Sequence, residues 1–170
     1  MARKFVITGG PCTGKTTTID ELEKEFKIVS ESAREVLKYR DFEDRNDERV
    51  QYEIFEKKLE KEEEAEKHQG PVFFDRGLVD SIGYYRYHLF EIPKDLLEQC
   101  KKENTNYEIV FFLDFVPYVK DSEVRGEGKG EAEEVHDLIY NAYAELGYRI
   151  VKVPLMTIKE RVDFIRKFVE

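Results

Sequence analysis

Hydrophobic positions along the chain fall into short unbroken runs, separated by longer stretches in which apolar residues recur every three or four positions. Lys4-Phe5-Val6-Ile7-Thr8, Val72-Phe73-Phe74-Asp75 and Tyr107-Glu108-Ile109-Val110-Phe111-Phe112-Leu113-Asp114 are runs of the first kind. Their continuous apolar character suits parallel strands buried on both faces. Lys27-Ile28-Val29 and Arg149-Ile150-Val151-Lys152-Val153-Pro154 read as shorter strands in second and fifth place. Between the runs the period lengthens to that of a helix. The pattern predicts a helix from about Gly14 to Phe26, with Ile19 and Leu22 inward, and a second one through about Tyr39 capped by Ser30 or Ser32. A third runs from Asp47 to Gln69 with Val50, Ile54, Phe55 and Leu59 as its apolar stripe; Lys61-Glu62-Glu63-Glu64 reads as its solvated end. Gly70-Pro71 stops it. Further helices are expected over 79–90, from Pro93 to about Asn104, over 131–146 with Gly147 as its C-terminal cap, and from Thr157 to Val169. Five strands alternating with helices define the α/β class: a parallel sheet in a three-layer arrangement, helices on both faces, right-handed crossovers.

In such sheets ligands bind at the carboxyl ends of the strands, where Thr8, Val29, Asp75, Asp114 and Pro154 fall. The first strand breaks into Gly9-Gly10-Pro11-Cys12-Thr13-Gly14-Lys15-Thr16-Thr17, which fits the phosphate-loop pattern G-x-x-x-x-G-K-[ST] at every fixed position from Gly9 to Thr16. The spacing has a geometric cause. Backbone N–H groups converge on a polyphosphate only where side chains do not block the approach and positive φ is allowed, and Gly9 and Gly14 meet that need. Lys15 can reach the β- and γ-phosphates, the Thr16 hydroxyl can ligate Mg²⁺, and the following helix aims its N-terminal dipole at the anion. The pattern in this strand-loop-helix context implies the phosphate-loop nucleoside-triphosphate hydrolase fold.

A phosphate loop needs a carboxylate nearby, to hold Mg²⁺ through water or to take the proton of an attacking hydroxyl. Asp75 and Asp114 both end apolar strands. Asp75 is the preferred candidate because Arg76 and Gly77 follow it, whereas Asp114 is followed by Phe115, Val116 and Pro117. Two roles are open to Arg76, pairing with a substrate phosphate or bracing Asp75. Asp121-Ser122-Glu123-Val124-Arg125-Gly126-Glu127-Gly128-Lys129-Gly130 has the glycine content of a flap, and Arg125 is placed to swing over the phosphates, with Lys129 a weaker second. Glu31 and Arg34, after the second strand, are candidates for an acceptor's hydroxyl and anionic group, or else form a helix-entry salt bridge. Tyr84, Tyr85 and Tyr87 offer rings for stacking or for packing, with Tyr84 the preferred substrate contact. His68, His88 and His136 lack metal-ligand spacing and read as structural, and Cys12 reads as a packing residue of the loop.

Composition narrows the partners. At 170 residues with a formal net charge of -9, the chain suggests one domain spanning 1–170 with a lid at about 118–130, and it lacks the basic footprint of a nucleic-acid binder. Two cysteines, Cys12 and Cys100, are too few for a disulfide framework, which suits a reducing cytoplasm. The start of the chain leads directly into the first strand, so neither a signal peptide nor a membrane span is expected. Composition does not fix the oligomeric state, and a dimer is compatible with it.

Taken together, Ile7 to Thr17, Glu31-Ser32-Ala33-Arg34, Phe73-Phe74-Asp75-Arg76-Gly77, and Gly147-Tyr148 before a strand ending in Val153-Pro154 resemble the ATPase-like domain family that includes the ribosylnicotinamide-kinase domain. The resemblance extends to nucleoside and nucleotide kinases at large, whose Asp-Arg or Glu-Arg pair ends the third strand. It implies that Gly9 to Thr17 hold ATP phosphates, that Asp75 is base or Mg²⁺ partner, that Arg125 is the lid arginine, and that Glu31 and Arg34 face the acceptor. The expected activity is Mg²⁺-assisted transfer of the γ-phosphoryl of ATP to a nucleoside, nucleotide or vitamin-like ribosyl compound. The rivals are a nucleotide-dependent regulatory module and a slow hydrolase of nucleoside triphosphates. No Asn-Lys-x-Asp motif for guanine is present, so ATP is the default base and GTP is left open.

Overall fold

The computed structural model describes residues 1–115 and 130–170, together with the backbone of Lys129. Five strands, β1 (Ala2–Thr8), β2 (Lys27–Val29), β3 (Gly70–Asp75), β4 (Ile109–Leu113) and β5 (Ile150–Val153), form one sheet in the order β2-β3-β1-β4-β5. Every pairing is parallel. The helices are α1 (Lys15–Leu22), α2 (Ser32–Val36), α3 (Glu48–Ala65), α4 (Asp80–Tyr87), α5 (Lys94–Gln99), α6 (Lys102–Thr105), α7 (Lys129–Glu145) and α8 (Ile158–Arg166).

The three layers follow from the strand period. Successive side chains point to opposite faces, so Phe5, Ile7, Phe73, Ile109, Phe111 and Leu113 pack with Ile19 and Leu22 of α1 and Val162 and Ile165 of α8. Val6, Val72, Phe74, Val110 and Phe112 face the other way, onto Phe55 of α3, Ile82 of α4 and Ile139 and Tyr143 of α7. Register brings Phe5 opposite Phe73 on one side and Ile109 on the other, and the Phe5 and Phe73 rings lie 5.3 Å apart. β1 sits in the middle, and between β3 and β4 the chain passes from one side of it to the other. The crevice of this fold therefore opens at the carboxyl end of β1, where the glycine-rich loop begins.

The five strands, the parallel sheet and the helices on both faces are as the hydrophobic pattern predicted; several local expectations are not. Neither Ser30 nor Ser32 caps α2: Glu31 holds that position without a side-chain cap, and the Ser30 hydroxyl donates to Glu35 at 3.0 Å. The helix expected from Pro93 to Asn104 is two, α5 and α6, broken at Cys100-Lys101. The 61–64 run is not simply solvated. Glu62 is buried and accepts from Lys4 Nζ at 3.2 Å and from the Tyr107 hydroxyl, because the third helix turns that position onto the sheet. Lys129 and Gly130, expected in the flap, already belong to α7. Among the described residues no helix is long and apolar enough to cross a membrane.

Candidate functional site

β1 releases the chain at Thr8 into the loop, and the backbone conformations there explain the glycines. Gly9 takes φ +145°, and a Cβ on it would stand 2.9 Å from the Leu113 carbonyl oxygen. Gly14 takes φ +73° at the start of α1. Both are regions that L side chains rarely enter. Cys12 also has positive φ, at 60°, and its side chain is exposed, so it does not pack the loop as its position suggested. Inside the loop Thr13 donates to the Gly10 carbonyl at 3.1 Å, and Thr17 donates to the Gly14 carbonyl at 2.9 Å.

Lys15, first in α1, is buried and points across to β3, where its ammonium meets the Asp75 carboxylate; Glu31 Oε2 lies 3.9 Å from the same nitrogen. Burial, and secondarily the Arg76 charge, lowers the Lys15 pKa below its ordinary value, with Glu31 and Asp75 opposing. Arg34 donates to the Thr16 hydroxyl at 3.0 Å and pairs with Glu31 at 3.1 Å. The candidates Lys15, Thr16, Glu31, Arg34, Asp75 and Arg76 thus form one connected cluster. Asp114 stands apart from it, its carbonyl accepting from Arg161 at 3.1 Å.

Arg76 directly follows β3 in the left-handed region, at φ +65°, an unfavourable conformation for a residue with a Cβ. What holds it there is a set of three bonds from a buried guanidinium: to the Gly9 carbonyl at 2.8 Å, to Glu31 at 3.1 Å and to Asp80 at 3.1 Å. It therefore braces the loop, Glu31 and Asp80. Its guanidinium carbon lies 5.5 Å from the centre of the half-buried Tyr84 ring, whereas Tyr85 is in the core.

Four residues of this region were given no part in the site by the sequence, three of them unmentioned and His136 read as structural. Asp80, fully buried, accepts from the Thr8 hydroxyl, from Arg76, from Gly77 N at 3.0 Å and from the Tyr143 hydroxyl at 2.6 Å. Its signal was a carboxylate set in the apolar stretch Leu78 to Ile82. Arg161 of α8 donates to the Thr13 carbonyl and fixes the loop from the other face. His136 of α7 accepts the Gly10 N–H at 2.9 Å. Lys58 of α3, buried, donates to the Gly77 carbonyl and the Ser81 hydroxyl, both at 3.1 Å. No local sequence signal marked the last three. Arg125 and nearly all of the expected lid lie outside the described residues, as does the Lys129 side chain.

Beside the cluster is a cavity of about 330 Å³. Pro11 of the loop forms one wall, Glu31, Arg34, Lys58 and Arg76 supply charge, and Leu37, Phe42, Ile54 and Tyr84 supply apolar surface. Asp75 is not among its lining residues. Among the described residues, no group of three or more His, Cys, Asp or Glu side chains could hold a metal by itself. The oxygens of Thr16 and Asp75 are hard donors of the kind Mg²⁺ takes in small number, the rest of its shell coming from phosphate and water.

The sheet order, the loop after β1 and the Asp75-Arg76 pair at the end of β3 define a phosphate-loop domain with the nucleoside and nucleotide kinase type of fold. A crystal structure of NadR protein in complex with NR superposes with a TM-score of 0.71 at 18% identity, over 99% of this chain and 52% of the other. The chain thus spans about half the length of that protein. Deoxyadenosine kinase from M. mycoides with bound dATP gives 0.70 at 17% identity, covering 97% of this chain and 98% of that one. Thymidylate kinase from Candida albicans gives 0.61 at 14%, with 99% and 91% covered. No curated protein matches the sequence. Residues 4–161 match the model of an AAA domain family, and the chain belongs to that family.

Proposed function

We propose that the protein transfers the γ-phosphoryl group of a nucleoside triphosphate, ATP by default, to a small acceptor held in the cavity beside the loop. The observation that carries this reading is the junction of the two: Pro11 belongs to both, and Glu31 lines the cavity while its carboxylate lies 3.9 Å from Lys15 Nζ. An acceptor there adjoins the γ-phosphate position, which is what in-line transfer requires. A deoxyadenosine kinase of the same fold was solved with bound dATP, which supports a nucleotide as ligand of this fold.

In this reading the backbone of the Gly9 to Thr17 loop and the Lys15 ammonium hold the phosphates. Lys15 exchanges its pairing with Asp75 for the phosphate oxygens. Thr16 and Asp75 would hold Mg²⁺, which would supply neutralisation of the phosphate charge. Glu31, fixed by Arg34 and Arg76, accepts the hydrogen of the acceptor hydroxyl; it takes this role in preference to Asp75 because it lines the cavity and Asp75 does not. Arg76 acts by holding the loop and Glu31 in place, and Tyr84 offers a ring face to a flat acceptor. Arg125 is assigned to the lid on sequence grounds. Exclusion of water by that lid favours transfer over hydrolysis.

The test is incubation with γ-labelled ATP, Mg²⁺ and a panel of nucleosides, nucleoside monophosphates and ribosyl compounds, read as label on the acceptor. Label appearing only as inorganic phosphate assigns the protein as a hydrolase. No turnover with tight nucleotide binding assigns it as a nucleotide-dependent binding module.

A further inference from the structure

His136 has no part in the reading above, yet it makes the one side-chain contact to a loop N–H among the described residues. Its ring is packed 4.4 Å from the Phe112 ring and 4.2 Å from that of Phe115, measured between centroids, and only 9% of the residue is exposed. Nδ1 accepts the Gly10 N–H at 2.9 Å, which places the proton of the neutral imidazole on Nε2. The approach is close. A Cβ on residue 10 would lie 2.7 Å from the His136 Cβ and 2.9 Å from the Ala132 carbonyl oxygen, so the loop rests directly on α7.

Three side chains from different elements hold the loop: Arg76 takes the Gly9 carbonyl, Arg161 the Thr13 carbonyl and His136 the Gly10 N–H. Of these only imidazole changes charge in the neutral range. A second proton on His136 would occupy Nδ1 and turn an acceptor into a donor facing a donor, leaving a buried N–H without a partner.

We propose that His136 is a positioning residue for the phosphate loop, whose neutral imidazole holds Gly10 in the conformation that binds polyphosphate and whose protonation releases it. The proposal rests on the reading that Gly9 to Thr17 bind a nucleoside triphosphate. Among the described residues, the charged groups that act most strongly on the ring are Asp137 on α7 itself, Asp114 after β4, Arg76 after β3 and Lys152 of β5. Burial first, with Arg76 and Lys152, lowers the His136 pKa below its ordinary 6.5, while Asp137 and Asp114 oppose. The imidazole is therefore neutral near pH 7, and release sets in as pH falls through a value under 6.5.

Two substitutions separate positioning from packing. His136→Asn keeps an acceptor at the Nδ1 position and does not titrate; His136→Phe keeps a ring between Phe112 and Phe115 and has no acceptor. Binding of a fluorescent ATP analogue with Mg²⁺ is measured from pH 8 to pH 5.5, with thermal melting confirming that each variant is folded. The wild-type protein is expected to lose about tenfold more affinity over that range than His136→Asn does, the size of one hydrogen bond. His136→Phe is expected to bind about tenfold more weakly at pH 8, with His136→Asn restoring most of the loss. Equal pH dependence in wild type and His136→Asn overturns the proposal, as does wild-type affinity in His136→Phe. A readout without ligand keeps the inference apart from the reading it rests on: the Gly10 amide resonance should shift with the His136 Cε1–H titration. A Gly10 amide indifferent to that titration overturns the proposal. Failure of the ATP analogue to bind the wild-type protein at pH 8 overturns it together with the nucleotide reading, even if Gly10 titrates.

Discussion

The two faces of the central sheet are covered by different chemistry. Against α1 and α8 the apolar core is aliphatic or phenylalanine throughout, from Phe5 and Ile7 to Val162 and Ile165, and the buried Thr18 and Arg161 bond outward to the Gly14 and Thr13 carbonyls of the loop. Against α3, α4 and α7 the core includes Tyr85, Tyr107, Tyr143 and Tyr148. Three of those hydroxyls are tied to named groups: Tyr107 to Glu62 and Leu78 N, Tyr143 to Asp80, and Tyr148 to the Cys100 carbonyl at 2.7 Å. The difference lies in whether the core rings themselves are bonded to the site. On the tyrosine face Tyr143 meets Asp80, and Asp80 meets Thr8, Arg76 and Gly77, so core packing and site geometry share one hydrogen-bonded network. An apolar face tolerates adjustment of shape, whereas a buried polar network fails when one member leaves and strands the rest.

The largest expected effect falls at the hub of that network. Asp80→Ala leaves Arg76 short of one buried carboxylate and two hydroxyls without their acceptor, and should cost roughly 3–5 kcal/mol of stability in urea unfolding. A loss no greater than that of an ordinary surface substitution would erase the contrast between the faces. Next is Lys15→Ala, expected to lower transfer by ~10²-fold or more through loss of charge stabilisation; unimpaired turnover would remove Lys15 from the mechanism.

Lys15 also sets an alkaline limit. Its pKa in the folded protein is below the ordinary 10.5, so the fold binds fewer protons than the unfolded chain between those two values, and stability rises with pH across that window. In the proposed mechanism function moves the other way: the ammonium assigned to the phosphates is lost as pH rises through the lowered pKa. The kcat/KM profile should therefore fall at a pH below 10.5, and Lys15→Arg should abolish that limb. Persistence of the limb in the arginine variant would assign it to another group.

The smallest effects compare the faces directly. Tyr143→Phe deletes one hydroxyl and should cost about 1.5 kcal/mol while also weakening nucleotide binding through Asp80. Ile165→Val on the opposite face should cost about 1 kcal/mol with nucleotide affinity unchanged. Equal effects of the two on nucleotide binding would show that the tyrosine network has no privileged link to the site.

Much of this was legible in the chain because the signals are local. A strand buried on both faces must be continuously apolar, and a loop that wraps an anion must have glycine where φ is positive, so β1, β3, β4 and the Gly9 to Thr16 loop announce themselves. Asp75 and Arg76 were readable as a pair because they end a strand whose carboxyl end belongs to the site. Glu62 was misread for the converse reason: in a run of acids nothing local says which one the helix turns inward, and only Lys4 and Tyr107, 58 and 45 residues away, decide it.

The sequence by itself determined the class of fold, the glycine-rich loop and the choice of Lys15, Thr16, Asp75 and Arg76 as candidates, which the fold brings into one cluster. Tertiary structure alone decided that Arg76 braces the loop, Glu31 and Asp80, that Glu31 lines the cavity where Asp75 does not, and that His136 and Arg161 hold the loop from two helices. The physical reason is range. Backbone conformation and strand burial are imposed on neighbouring residues, whereas a buried charge or an N–H is satisfied by whichever group the fold brings within 3 Å, and for Gly10 that group is 126 residues away.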